Sequence, residues 1–109
     1  MQYDSEYLLV LTTCPSKEEA SALARTLVEQ KLAACVQISA PITSCYSWDG
    51  KVCEEQEFSL QIKCLAACYD ALQQAVIASH PYEVPELIAV PVSQGLPAYL
   101  EWIKENSQS

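Results

Sequence analysis

The sequence predicts an α+β sandwich of βαββαβ order, the ferredoxin-like class, with an extended bulged hairpin and a C-terminal helix. Three observations predict it. Apolar residues alternate with period two in some stretches and recur at helical spacing in others, in the order strand, helix, two strands, helix, strand, helix. The two middle strands are joined by Trp48-Asp49-Gly50-Lys51, and Asp-Gly is a preferred pair for a two-residue hairpin loop because a type I′ turn needs positive φ at both central positions. Two crossover helices packed on one face of four antiparallel strands then bury the apolar stripes together.

Tyr7 to Thr13 is a continuous apolar run with a polar end, suited to a central strand buried on both faces or nearly so, and Cys14-Pro15 ends it. Ser16 with Glu19 three residues on is the capping-box arrangement. Ala20, Leu23, Ala24, Leu27 and Val28 fall on one stripe of a helix running to about Lys31. The hairpin follows, from Cys35 to Cys64. With Trp48 opposite Lys51, an unbroken register pairs Ile62 with Gln37 and Leu60 with Ser39, which points the apolar residues of the two arms to opposite faces. One extra residue on the ascending arm brings Ile38 to Leu60 and Val36 to Ile62, so a bulge or break is expected near Ser39-Ala40-Pro41. The arms beyond it project past a small domain, and their backbone edge needs a covering partner.

Leu65, Cys68, Tyr69, Leu72, Ala75, Val76 and Ser79 return to helical spacing, and Pro81 stops that helix near Ser79 or His80. Pro81 to Pro85 is a stiff connector, Glu86 to Val92 the fourth strand, and Ser93-Gln94-Gly95 a turn. Leu96, Tyr99, Leu100 and Ile103 mark the last helix, and residues 106–109 fray from it.

At 109 residues, half of them hydrophobic, the chain reads as one domain over residues 1–109. Fourteen acidic against six basic side chains, a net charge of -8, disfavour nucleic acid and anionic membranes and suit cations. No apolar run approaches the roughly 18 residues of a membrane span. The N-terminal Met1 to Glu6 lacks a basic, apolar signal core, so a cytoplasmic protein with reduced cysteines is expected. Cys45 and Cys53 do not face each other across the hairpin, which argues against a bridge there.

Chemistry-bearing residues are sparse. An RNA-binding sheet wants exposed aromatics and basic flanks, which the first strand and the charge do not offer. There is no Cys-x-x-Cys; Cys64 and Cys68 could share a helix face as soft-metal ligands, but the apolar stripe favours buried packing. Cys14, where strand meets helix, is either a thiol with metal affinity or a strand-end packing residue. His80, the single histidine, is either a helix-end residue or, joined by Cys14 and by the oxygens of Glu83 and Glu86, a metal ligand. No catalytic residues are assigned: one histidine and no nucleophile elbow leave hydrolysis unsupported, so the chain reads as no enzyme. Tyr46, Trp48 and Tyr82 either line a ligand or inter-subunit cleft or simply pack an interface.

Four blocks, Leu11-Thr12-Thr13-Cys14-Pro15, Ala33-Ala34-Cys35-Val36, Tyr46 to Lys51 and His80 to Glu86, resemble in order and spacing the signature blocks of the CutA family of divalent-cation tolerance proteins. The resemblance covers about Leu8 to Ile103. It implies a ferredoxin-like subunit in a homotrimer whose hairpins complete each other's sheets, and a role in tolerance of and response to divalent metal ions. It also implies copper (Cu2+) or similar divalent cations as ligands. Some members carry a cysteine where this chain has Thr12 and a His-His pair where it has Ser79-His80, so His80 carries over and Thr12 supplies no thiol. The likeness of such trimers to PII signalling proteins implies an alternative, a regulatory or sensing module binding a small ligand or partner protein between subunits.

Overall fold

The computed structural model describes residues 5–108. Strand β1 (Tyr7–Cys14) leads to helix α1 (Lys17–Glu29), then to β2 (Cys35–Trp48) and β3 (Lys51–Leu65). Helix α2 (Tyr69–Ser79), strand β4 (Ile88–Pro91) and helix α3 (Pro97–Glu105) complete the order. The four strands lie as β2-β3-β1-β4, with every neighbouring pair antiparallel. This is the ferredoxin-like arrangement that the periodicities predict.

The hairpin register is the predicted one. Trp48 faces Lys51 across a loop in which Asp49 has φ 54° and Gly50 φ 76°. Ile38 pairs with Leu60 and Pro41 with Phe58, so two residues of β2 stand against the single Ser59 of β3. The bulge carries its own repair: the Ser39 hydroxyl accepts from the Ser59 amide at 2.9 Å and donates to the Ala40 carbonyl at 2.7 Å. Because of the extra residue, Val36, Ile38, Leu60 and Ile62 all pack in or against the core. Val10 and Cys14 from β1, Leu23 and Leu27 from α1, and Leu72 and Val76 from α2 close that core from the other elements.

The ends of the elements show where local chemistry overrides a simple stripe. Ser16 accepts from the Glu19 amide and donates to the Glu19 carboxylate, both at 3.1 Å, so the expected cap is present in a modified form. Helix α1 stops at Glu29, short of the expected Lys31, because Lys31 is left-handed (φ 59°). Its amide donates to the Val28 carbonyl and that of Leu32 to Leu27, a Schellman ending built without glycine. Before α2 a single 3₁₀ turn, Ala66–Cys68, replaces the first expected helical turn; Cys68 at the N-cap makes no side-chain capping bond. Strand β4 is shorter than the expected Glu86 to Val92. The Glu86 carbonyl is taken by the Thr12 hydroxyl at 2.6 Å instead of by a ladder partner.

Pairing between β1 and β3 ends at Cys14 opposite Phe58, whereas the hairpin continues to its turn at Asp49-Gly50. Residues 51–57 of β3 therefore have no neighbour on the β1 side. This projecting tip, with β1 ending at its base, positions the site. No described helix is long and apolar enough to cross a membrane.

Candidate functional site

The segment between α2 and β4 runs back along the end of β1, and side-chain hydrogen bonds hold it there. His80 caps α2 with an extended backbone (φ -82°, ψ 138°), which is what Pro81 demands of its predecessor. Its ring is placed beside Thr13, and Nε2 lies 2.6 Å from the Thr13 carbonyl oxygen. A carbonyl only accepts, so Nε2 carries the proton and Nδ1 is left as the acceptor, which takes the Tyr82 amide at 3.1 Å. Both ring nitrogens are thus committed to backbone groups. The Tyr82 hydroxyl reaches Glu57 on β3 and donates to Oε2 at 3.1 Å; the Thr13 hydroxyl donates to the same oxygen at 3.2 Å. With the Thr12 bond to Glu86, the connector is pinned at both ends and in the middle.

Between connector and hairpin tip lies a cleft of about 710 Å³. Tyr46, Trp48 and Tyr82 supply its aromatic wall. Glu55, Glu57, Glu83 and Glu86 supply four carboxylates, and no lysine or arginine lines it. Glu55 accepts from the Tyr46 hydroxyl at 2.5 Å, and this bond, with burial and the Glu55 charge, pushes the phenol up to about 12. Tyr82 is also pushed up to about 12, by burial first and then by Glu57 as acceptor and neighbouring charge. Either phenolate would add negative charge to a site that is already negative.

The structure separates the residues that the sequence marks as candidates. Tyr46, Trp48, Tyr82, Glu83 and Glu86 line the one cleft, the aromatics within a single chain. Cys14 does not line it. It is buried in the core at 2 % exposure, two residues before the cap of α1. Its thiol is raised from 9.0 to about 11, by burial and then by the Glu19 and Glu57 charges. A helix N-terminus can lower a thiol pKa, but here burial, and after it two carboxylates, push the other way. His80 reaches the Thr13 carbonyl, one residue before Cys14, but its nitrogens are occupied as described. Among the described residues no three His, Cys, Asp or Glu side chains converge as a ligand set. Cys64 and Cys68 are fully buried, and burial raises both thiols.

Residue type alone marks neither of two further residues of this site, although Thr13 lies within the Leu11 to Pro15 block. Thr13 supplies both a carbonyl and a hydroxyl to the connector, and Glu57 is the buried carboxylate beneath it. The available signal for Glu57 is position alone, since it is the last residue of β3 before pairing with β1 begins.

The fold and the cleft define a class first: a small ferredoxin-like domain with a protruding hairpin and an acidic, aromatic-walled groove at its base. The chain belongs to the CutA1 family, whose model, described as CutA1 divalent ion tolerance protein, matches residues 8–106. It is 46 % identical over 99 residues to the divalent-cation tolerance protein CutA of Thermus thermophilus, covering 91 % of this chain and 96 % of that one. It is 45 % identical to mouse protein CutA over 97 residues, 89 % of this chain but only 55 % of that longer relative. Among solved structures, CutA1 from the psychrotrophic bacterium Shewanella sp. SIB1 superposes with a TM-score of 0.95 at 51 % identity, over 98 % of this chain and all of that one.

Proposed function

We propose that this chain is a homotrimeric, non-enzymatic protein of divalent-cation tolerance, working in the cytoplasm and binding copper(II) or similar divalent cations weakly. The carrying observation is the cleft, with four carboxylates and no basic side chain, in a member of a family described by tolerance to divalent ions. Glu83 and Glu86 are exposed, and neither carboxylate is engaged by the described residues, so they are the first donors an ion meets. His80 joins them only by giving up its bond to Thr13 or to Tyr82. Cys14 joins only as a thiolate, which its burial opposes. Each added ligand therefore carries a cost, and weak binding follows.

Trimer formation is supported by the unpaired edge of the hairpin and by the apolar residues beside it: Ile42 and Val52, neither of which lines the cleft, are exposed in the single chain. A neighbouring copy covers both at once.

Copper(II) titration by calorimetry tests the site. Glu83→Gln with Glu86→Gln removes most of the binding heat, and His80→Ala weakens it further. Isotherms identical to wild type in both variants would remove these residues from the site.

A further inference from the structure

Glu57 is largely buried, at 7 % exposure, yet Oε1 stays open to solvent. Oε2 takes the hydroxyls of Thr13 and Tyr82. Oε1 receives no hydrogen bond from the described residues, and Glu57 lines the cleft. The other charged groups of the walls are also carboxylates, so nothing within the cleft neutralises it. Glu57 thus keeps one free acceptor in a cleft whose charges are all negative, and a cation seated there gains a charge-assisted hydrogen bond.

The rest of the cleft decides which kind of cation fits. Tyr46, Trp48 and Tyr82 line it, and aromatic rings attract a cation through their quadrupoles and also cover aliphatic surface. A bare metal ion is strongly hydrated and gains little from such walls, and the carboxylates do not converge into a cage. A cleft of about 710 Å³ lies within the range of about 300–1,000 Å³ that small organic ligands occupy. The matching chemistry is a cation with N–H donors at one end and an apolar body behind them.

We propose that the cleft binds an organic ammonium ion, its N–H groups on Glu57 and its aliphatic body against Tyr46, Trp48 and Tyr82. This goes beyond metal tolerance: the donor groups differ, and the aromatic wall takes part. The ligand is a primary amine or a short polyamine, which carries both the charge and the apolar stem.

Calorimetric titration of the intact, assembled protein with putrescine tests this, at neutral pH and low salt with a metal chelator present. Saturable binding is expected, with none for the uncharged diol of the same length. Glu57→Gln keeps an acceptor for Thr13 and Tyr82 while removing the charge, and weakens binding about tenfold or more. Trp48→Leu, at the exposed tip, weakens it about two- to fivefold. Equal behaviour of amine and diol, no binding of putrescine, or wild-type affinity in Glu57→Gln would overturn the proposal. If Glu57→Gln does not fold, Trp48→Leu decides, and unchanged affinity there overturns it as well. The chelator removes metal from the readout, so loss of the copper site leaves this result untouched and the two readings fail separately.

Discussion

At the scale of single residues, the block His80 to Glu86 is first a structural device. An imidazole with one N–H on a carbonyl and one lone pair on an amide is fully used, and it ties α2, the connector and β1 together. His80→Ala leaves the Thr13 carbonyl and the Tyr82 amide without these partners. A loss of about 1–3 kcal/mol in denaturant unfolding is expected, with faster amide exchange at Tyr82. The buried thiols make a second expectation. Cys14 ionises near 9.0 when unfolded and near 11 when folded, and Cys64 near 9.0 and about 12. Between those values the folded chain keeps protons that the unfolded chain has released, so stability falls as pH rises from about 9 towards 11–12. Below pH 9 this contribution is fully retained. Melting temperatures followed from pH 7 to 11 will show the decline, and Cys14→Ala with Cys64→Ala will flatten it. Residue types alone mark Cys14 and His80 as ligand candidates. The burial of Cys14 comes from the core, and the His80 ring is taken by Thr13 across the fold and by Tyr82 two residues on, of which only the last is a local contact.

At the scale of elements, turns and caps were legible because each rests on neighbours in sequence. Asp49-Gly50 places two positive φ angles where a type I′ loop requires them. Gly50→Val meets no steric neighbour at Cβ but strains the backbone at φ +76°, and a loss of about 1–2 kcal/mol is expected by chemical denaturation. The Schellman ending of α1 offers the reverse change. Lys31 occupies the left-handed position where glycine is usual, and its side chain is exposed. Lys31→Gly relieves that strain at some entropic cost in the unfolded chain, for a net gain of about 0.5 kcal/mol. The bulge was legible for a different reason: two alternating arms can share one buried face only if one of them gains a residue. By contrast, the shortened β4 goes with Thr12 reaching the Glu86 carbonyl, a contact that periodicity does not report.

At the scale of the whole molecule, the hairpin is longer than its own sheet can pair. Its free edge and the exposed Ile42 and Val52 are what a monomer of this size cannot keep dry alone. The proposed trimer predicts a native mass three times the 12.0 kDa of one chain, holding at micromolar dilution. Val52→Glu at the tip is expected to shift that mass towards the single chain, read by native mass spectrometry, while far-ultraviolet circular dichroism keeps its folded signature. A monomeric wild type would take the covered-edge argument with it.

The amino-acid order by itself determined the strand and helix sequence, the hairpin turn, the bulge and the family, because each follows from spacing between residues close in the chain or from linked blocks in order. It also marked both walls of the cleft, since Tyr46 and Trp48 lie in one block and Tyr82, Glu83 and Glu86 in another. Only the tertiary structure decided that these two blocks meet in one cleft, that Glu57 lies buried with one oxygen unclaimed, and that Cys14 stands apart from it in the core. The physical reason is that burial and charge compensation are set by which distant segments come together at the end of β1, and a distance across the fold is not written in the spacing along the chain.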